Sequence, residues 1–258
     1  MIVDCHTHFS CGGHKVDIAE YLTAAEPVEK CIVIADIGRS EEINAKLADS
    51  VKKYHGRLEG FAFLNPLEDD VSEKAVNRMT LKIGLKGAVV YCAACKFHPA
   101  HTMAMQFYES AQALKLPVFF HNAGHLSWDA VLDYAQPYLL DEIARTFPNL
   151  KMIIGSMGMP FFEQTISIIT KHKNVYADLS IKPSNVWQVY NIIRSAYERE
   201  AMDKLLFGSG YPLGNARDCI EVLLGFNKLL TGANLPDVPR QVLKGIIERD
   251  TLEILEIK

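Results

Sequence analysis

Hydrophobic positions along the chain fall into two alternating kinds of segment. Short, almost continuously apolar runs rich in β-branched residues alternate with longer segments whose apolar residues recur at helical spacing. Continuous apolar runs of this length are typical of parallel strands that are buried on both faces. Eight such runs occupy residues 2–5, 31–36, 60–64, 87–91, 118–121, 152–155, 175–178 and 205–208.

The segments between these runs predict amphipathic helices. In residues 139–147, for example, the apolar residues recur at helical spacing and would share one face of a helix. Similar patterns predict helices over residues 41–54, 71–80, 103–114, 161–172 and 184–198, and a helical extension over residues 239–257. Roughly 25 to 35 residues separate the starts of successive strands, which is the length of one strand–helix unit.

Eight consecutive strand–helix units determine the predicted fold. No glycine- and serine-rich linker interrupts them, so residues 1–258 are expected to form a single domain. The predicted fold is α/β, a (β/α)8 TIM barrel with a C-terminal helical extension, since such barrels commonly contain about 250 residues. An open, doubly wound sheet is the alternative. It is less favoured because no glycine-rich phosphate-binding loop follows a predicted strand.

The composition narrows the class of protein and of partner. Hydrophobic residues make up 49% of the 258 residues and charged residues 22%, an ordinary globular balance. The net charge of −4 provides no basic surface for nucleic acid, and no apolar run approaches the roughly 20 residues that span a membrane. We therefore expect a small-molecule substrate, and a homo-oligomer is compatible with the sequence. Six cysteines and an N-terminus without a leader pattern predict a reduced, cytoplasmic protein.

Histidines stand at the carboxyl ends of two predicted strands, where barrel enzymes carry their active sites. His6 and His8 follow the first strand and, being two residues apart on an extended segment, project to the same side. His121 ends the fifth strand, which lies across the barrel from the first. Three imidazoles and a water are sufficient for a tetrahedral zinc site. Buried or surface histidines that bind no metal are the alternative.

Further polar residues near the strand ends are weaker candidates. His125 follows His121 by four residues and is a candidate outer ligand or substrate contact. Arg39 follows the second strand and could bind a substrate carboxylate, although a solvated loop charge is the simpler interpretation. Cys92 and Cys95 follow the fourth strand as a Cys-x-x-Cys pair. They could pack in the core, add ligands to the same metal, or cycle as a dithiol.

Five motifs in order along the chain resemble those of one protein family. Residues 2–8, Ile-Val-Asp-Cys-His-Thr-His, resemble the opening Asp-x-His-x-His of the amidohydrolase-related (amidohydrolase 2) family. Residues 116–121, Leu-Pro-Val-Phe-Phe-His, resemble its fifth-strand Leu-Pro-Val-x-x-His. Residues 151–160 and 174–180 are similar to its sixth and seventh strands. Residues 206–212, Leu-Phe-Gly-Ser-Gly-Tyr-Pro, resemble its eighth-strand Phe-Gly-Ser-Asp-Tyr-Pro.

This resemblance implies a chemistry as well as a barrel. Its members hold one divalent metal, usually zinc, with the first-strand pair, the fifth-strand histidine and an eighth-strand aspartate, and a sixth-strand histidine acts as acid or base. They hydrolyse amides or lactones, or decarboxylate aromatic acids. The resemblance therefore implies that His6, His8 and His121 are metal ligands. It also implies a metal-dependent hydrolase or non-oxidative decarboxylase of a small, carboxylate-bearing substrate.

The chain departs from the family pattern at two functional positions. Ser156 stands in place of the sixth-strand histidine, and Gly210 in place of the eighth-strand aspartate. A serine hydroxyl has no useful basicity near neutral pH, so it cannot replace histidine in proton transfer. Two hypotheses follow: an enzyme with an atypical site, or a catalytically inactive barrel retained for ligand binding or assembly. Thiol chemistry at the cysteine pair is a third.

Two other residues are considered as substitutes for the missing groups. Asp178 ends the seventh strand beside the vacant eighth-strand position and is a weak candidate for a ligand or a catalytic base. Its family counterpart resembles a structural residue. Tyr211 follows Gly210 and could donate a hydrogen bond to a substrate, but it is a poor base.

Overall fold

Eight parallel strands form a nearly closed barrel with helices between them, which confirms the predicted (β/α)8 TIM barrel. The structure is a computed structural model and describes residues 1–11, 14–121, 128–180, 182–232 and 234–257. Each strand pairs in parallel with the next along the chain. The barrel strands are β1 Val3–Thr7, β2 Lys30–Ile34, β3 Leu58–Phe63, β4 Gly87–Val90, β5 Val118–Phe120, β6 Met152–Ile154, β7 Val175–Ser180 and β8 Leu205–Gly208. Two further short strands outside the barrel, Ser10–Cys11 and His14–Lys15, pair antiparallel with each other.

The barrel closes where the carboxyl end of β1 meets the segment after β8. Thr7 and Tyr211 form a parallel bridge there. The amide of Gly210 donates to the carbonyl of His6 at 2.9 Å, and the amide of His8 donates to the carbonyl of Tyr211 at 2.9 Å. The main chain of both histidines is therefore bonded directly to the segment that follows β8.

The helices lie close to their predicted positions. Those after β2, β4, β6 and β7 differ from the predicted bounds by at most two residues at either end. The C-terminal extension forms two short helices after the last barrel unit. The helices are α1 Ile18–Ala24, α2 Ser40–Lys53, α3 Glu73–Met79, α4 Thr102–Ala113, α5 Leu140–Thr146, α6 Phe162–Lys171, α7 Val186–Glu198, α8 Ala216–Leu224, α9 Arg240–Ile247 and α10 Thr251–Ile254.

The barrel interior is filled with large apolar side chains, as burial of both strand faces requires. Phe61, Phe119 and Phe207 are almost fully buried. The ring of Phe119 packs edge-on against His6, with 5.0 Å between the ring centroids. Buried apolar side chains of the barrel interior therefore pack directly against the histidines at the carboxyl ends of the strands. Within the described residues, no helix is both long enough and apolar enough to cross a membrane.

Candidate metal site

The three predicted histidines meet at the carboxyl end of the barrel. His6 lies in β1, His8 directly follows β1, and His121 directly follows β5. One ring nitrogen of each histidine lies within 4.8 Å of those of the other two. The ring centroids of the three pairs are 5.0 to 5.1 Å apart. The opposed strands of the barrel therefore bring residues 115 positions apart in the sequence into one cluster.

The orientation of the His6 ring is set from behind by a carboxylate. His6 Nδ1 lies 3.0 Å from Asp178 Oδ2 and 3.0 Å from Ser180 Oγ. A carboxylate only accepts hydrogen bonds, so the ring proton resides on Nδ1 and leaves a lone pair on Nε2. This Nε2 faces His8 Nε2 at 3.1 Å. The tautomer of His6 is therefore the one that presents a ligand atom to the cluster.

His8 has a comparable but weaker partner. Its Nδ1 lies 3.4 Å from Asp36 Oδ1 without hydrogen-bond geometry, which still favours a proton on Nδ1. The Nε2 lone pairs of His6 and His8 would then face each other, and a cation between them removes that repulsion. Tetrahedral zinc, with Zn–N distances of about 2.0–2.1 Å, separates its ligand nitrogens by about 3.3 Å. The observed 3.1 Å fits this donor set.

The surroundings of His8 and His121 favour the neutral form of their imidazoles. Burial lowers the pKa of His121 well below its usual value, and the neighbouring His6 and His8 lower it further. Burial also lowers the pKa of His8, against the opposing effect of Asp36. Neutral imidazole is the form that binds metal ions. His8 and His121 can therefore accept a cation at neutral pH without first losing a proton.

Asp178 is buried behind the cluster, and it is not among the residues that line the cavity in front of it. Its Oδ2 accepts from the amide of Ser156 at 2.6 Å as well as facing His6, and its Oδ1 accepts from the hydroxyl of Ser180. Gly208 makes this arrangement possible, since a Cβ there would lie 2.9 Å from both Asp178 Oδ1 and Ser180 Oγ. This position suits a residue that orients His6 rather than one that contacts a substrate.

Asp4 has a separate structural role at the barrel seam. Its Oδ1 accepts from the amides of Ser209 at 2.9 Å and His6 at 3.3 Å. Burial raises the pKa of Asp4 to about 6, although these hydrogen bonds oppose the shift. This buried carboxylate therefore links β1 to the residue that follows β8.

Both positions that depart from the family pattern lie at the cavity. Ser156 and Met157 have φ values of 45° and 55°, a left-handed conformation that costs energy for residues other than glycine. Gly210 has φ +64°, a conformation that glycine adopts without strain. A Cβ at this position would lie 3.4 Å from Ser180 Cβ. Ser156 and Gly210 therefore bring neither an imidazole nor a carboxylate to the cavity.

A cavity of about 590 Å³ opens in front of the histidine cluster. Among its described lining residues, Asp36 is the one carboxylate and Lys182 the one lysine or arginine. Ser10 Oγ donates to Asp36 Oδ2 at 2.5 Å. The ring of Tyr91 lies 4.8 Å from that of His121 and forms part of the wall. No motif in the sequence marks Asp36 or Lys182 as a residue of the site.

Two predicted substrate contacts, Arg39 and Tyr211, are not among the described residues that line this cavity. Arg39 is exposed ahead of α2 and does not line the cavity. The ring of Tyr211 packs against Tyr21 with 5.2 Å between centroids, and the cavity is lined instead by the residues on either side of it, Gly210 and Pro212. His125 lies outside the described residues.

The cysteine pair also lies apart from the cluster. Among the described residues, the group that could hold a metal consists of the three histidines and includes neither Cys92 nor Cys95. Cys92 is fully buried. Burial raises the pKa of Cys95 to about 11, and the carboxylates of Glu68 and Asp69 add to the shift. A raised pKa disfavours the thiolate that metal binding and redox chemistry require.

Comparisons with known proteins agree with this architecture. The family model for amidohydrolases matches residues 3–245. An uncharacterised TIM-barrel protein from Bordetella bronchiseptica has a TM-score of 0.72 and 18% identity, over 99% of this chain and 98% of its own. The 5-carboxyvanillate decarboxylase of Sphingomonas paucimobilis has a TM-score of 0.70 and 12% identity, over 100% of this chain and 99% of its own.

A third similar structure carries a metal. The dihydroxybenzoic acid decarboxylase of Polaromonas sp. JS666, solved with bound manganese and the inhibitor 2-nitroresorcinol, has a TM-score of 0.67 and 17% identity, over 99% of this chain and 97% of its own. A search of curated proteins finds no match. At these identities, the structural likeness establishes the barrel fold.

Proposed function

The chain belongs to the amidohydrolase family, and on this basis we propose that it is a metal-dependent enzyme acting on a small, carboxylate-bearing substrate. The reaction proposed is hydrolysis or non-oxidative decarboxylation. The observation that carries the proposal is the cluster of His6, His8 and His121, whose ligand nitrogens converge within 4.8 Å. Two of the similar solved structures are decarboxylases of aromatic acids, which supports this substrate class.

The three histidines would hold one divalent metal. Zinc is the metal we propose, because neutral imidazoles suit it, and manganese is the metal to test beside it. A bound divalent metal polarises a substrate oxygen or lowers the pKa of a bound water. Asp178 would keep His6 in the required tautomer through its contact with Nδ1.

The cavity determines what else the chain can contribute. The hydroxyls of Ser156, Ser180 and Ser209 line it. Those of Ser180 and Ser209 are already hydrogen-bonded to Asp178 and Asp4, so Ser156 is the serine that can donate to a substrate oxygen. None of them is basic enough to remove a proton near neutral pH. Tyr91, Met159 and Leu213 contribute apolar surface against which a flat, apolar part of a substrate can pack.

Metal analysis of the purified protein tests the proposal. We expect close to one equivalent of a transition metal in the unaltered chain and a loss of most of it in His121→Ala. His55→Ala is the matched control, because His55 is exposed and outside the cluster. Metal content that is the same in His121→Ala as in the unaltered protein would contradict the three-histidine site.

A second candidate function is a catalytically inactive barrel that binds a ligand or takes part in an assembly. Ser156 and Gly210 favour it, because both line the cavity where the family carries an acid–base histidine and an aspartate. On this hypothesis the unaltered chain turns over no aromatic carboxylate or lactone. The double variant Ser156→His with Gly210→Asp should then gain metal-dependent turnover. Turnover by the unaltered protein would exclude the inactive barrel.

A further inference from the structure

Lys182 stands out among the residues of the cavity. It lies between β7 and α7, is partly buried, and lines the same cavity as the three histidines. Its carbonyl accepts from the amide of Asn185 at 2.8 Å, which places it in the turn that leads into α7. The lysine therefore approaches the cavity from a different side of the barrel than the histidines, which come from β1 and β5.

The ammonium group of Lys182 has no carboxylate partner in the part of the chain that the structure describes. No carboxylate of the described residues lies within 4.0 Å of its Nζ. Lys96, which follows β4 at the same end of the barrel, instead pairs with Asp129 at 2.8 Å. An unpaired ammonium that is partly removed from water is a ready partner for an anion, since hydrogen bonds to charged groups are the strong ones.

Polar amides accompany the lysine on one side of the cavity. Asn185 and Gln188, at the start of α7, both line it. The amide of Gln188 contacts the sulfur of Met159 at 3.6 Å, where the lining becomes apolar. The cavity thus combines a cationic, amide-bearing side with apolar surface, which suits a flat molecule with an anionic group at its edge.

We propose that Lys182 binds a carboxylate of the substrate and thereby determines its orientation. The inference rests on the proposed function and deepens it, because it names a second anionic group on the substrate. Among the described lining residues, the groups that carry a full charge are Lys182 and the carboxylate of Asp36. A divalent metal held by the three histidines would add two positive charges to the same cavity. This excess of positive charge selects a dianion: one carboxylate lies toward the histidines and the other at Lys182.

The test measures binding of isophthalate, an aromatic dicarboxylate, and of isophthalamide, its uncharged counterpart. Calorimetric titrations use the full chain as purified and again after removal of metal with EDTA. Lys182→Met should weaken isophthalate binding about tenfold in both preparations and leave isophthalamide binding unchanged, since only a charge-assisted contact is lost. Lys182→Arg, which keeps the charge, should stay within about threefold of the unaltered protein.

Lys52→Met is the matched control, because Lys52 is exposed on α2 and remote from the cavity. The proposal is overturned if Lys182→Met binds isophthalate as tightly as the unaltered protein does. It is overturned as well if the substitution weakens the binding of isophthalamide as much as that of isophthalate. It is also overturned if no isophthalate binding is detected. An absence of bound metal would count against the proposed enzyme alone, since the EDTA-treated arm measures the lysine contact without it.

Discussion

The two ends of the barrel use their charged side chains in opposite ways. At the amino end, long basic side chains are bonded to main-chain carbonyls. Arg249 donates to the carbonyls of Met202 and Leu205, where β8 begins. Lys204 donates to the carbonyls of His172 and Lys173, ahead of β7. Both of these cations therefore have hydrogen-bond partners that belong to the protein.

At the carboxyl end, polar groups are held in place but directed into the cavity. His6 and His8 face each other with their Nε2 atoms 3.1 Å apart, and Asp178 supports one of them from behind. Lys182 lines the cavity without an ion pair among the described residues. Interactions at the amino end stabilise the fold, whereas those at the carboxyl end leave binding capacity for a ligand. This division is the one expected of barrel enzymes.

The largest expected effect comes from removing a ligand at the carboxyl end. His8→Ala should weaken metal binding by more than about 100-fold, since removing even an outer partner of a ligand costs about 10–100-fold. His8 is not fully buried, so the unfolding free energy of the metal-free protein should change by less than about 1 kcal/mol. Metal titration and denaturant unfolding check the two expectations. If His8→Ala greatly lowered the free energy of unfolding but kept its metal, His8 would be a residue of stability rather than of ligand binding. That result would contradict the role assigned to the carboxyl end.

The next effect concerns the residue behind the cluster. Asp178→Asn should weaken metal binding about 10–100-fold, because the amide no longer fixes the Nδ1 tautomer of His6. The nitrogen chemical shifts of the His6 ring report its tautomer directly. They therefore distinguish a change of tautomer from a general destabilisation of the fold. Asp203→Asn, at an exposed site away from the cluster, is the control. Retention of both the tautomer and the metal affinity in Asp178→Asn would show that the carboxylate does not position His6.

An intermediate effect, on stability alone, is expected at the amino end. Arg249→Met keeps the apolar stem but removes both hydrogen bonds to the start of β8. The free energy of unfolding should fall by about 2 kcal/mol, with metal content unchanged. Denaturant unfolding measures the loss, with Arg199→Met as control, because Arg199 is exposed and forms no ion pair among the described residues. Loss of metal in Arg249→Met would break the distinction between the two ends.

The smallest effect is expected at a surface ion pair. Hydrogen bonds from Lys171 and then His172 lower the pKa of Asp141 to about 2, from an ordinary value of 3.8. Because the folded pKa is depressed, the pair stabilises the protein above about pH 4 and loses that effect as the pH falls toward 2. Asp141→Asn should cost about 0.5 kcal/mol at pH 6 and nothing near pH 2. Unfolding curves at both pH values test this, and a difference that grows on acidification would contradict it.

Several elements of the site could be predicted because they follow from position along strands. His6 and His8 stand two residues apart at the end of an apolar run, and His121 ends another. In a barrel those ends converge, so the cluster follows from the fold. Tyr211 was predicted to face a substrate, but its ring packs on Tyr21. Tyr211 also pairs through its main chain with Thr7, a long-range contact that no local pattern encodes.

The sequence by itself determined the eight strand–helix units, the barrel and the histidines at the strand ends. Their signals are local, because strand and helix periods repeat every 2 and about 3.6 residues. Only the tertiary structure decided that Asp178 faces His6, 172 positions away, and that Lys182 and Asp36 border the cavity. Such contacts depend on how distant loops and strand ends come together when the barrel closes. No periodicity along the chain carries that information.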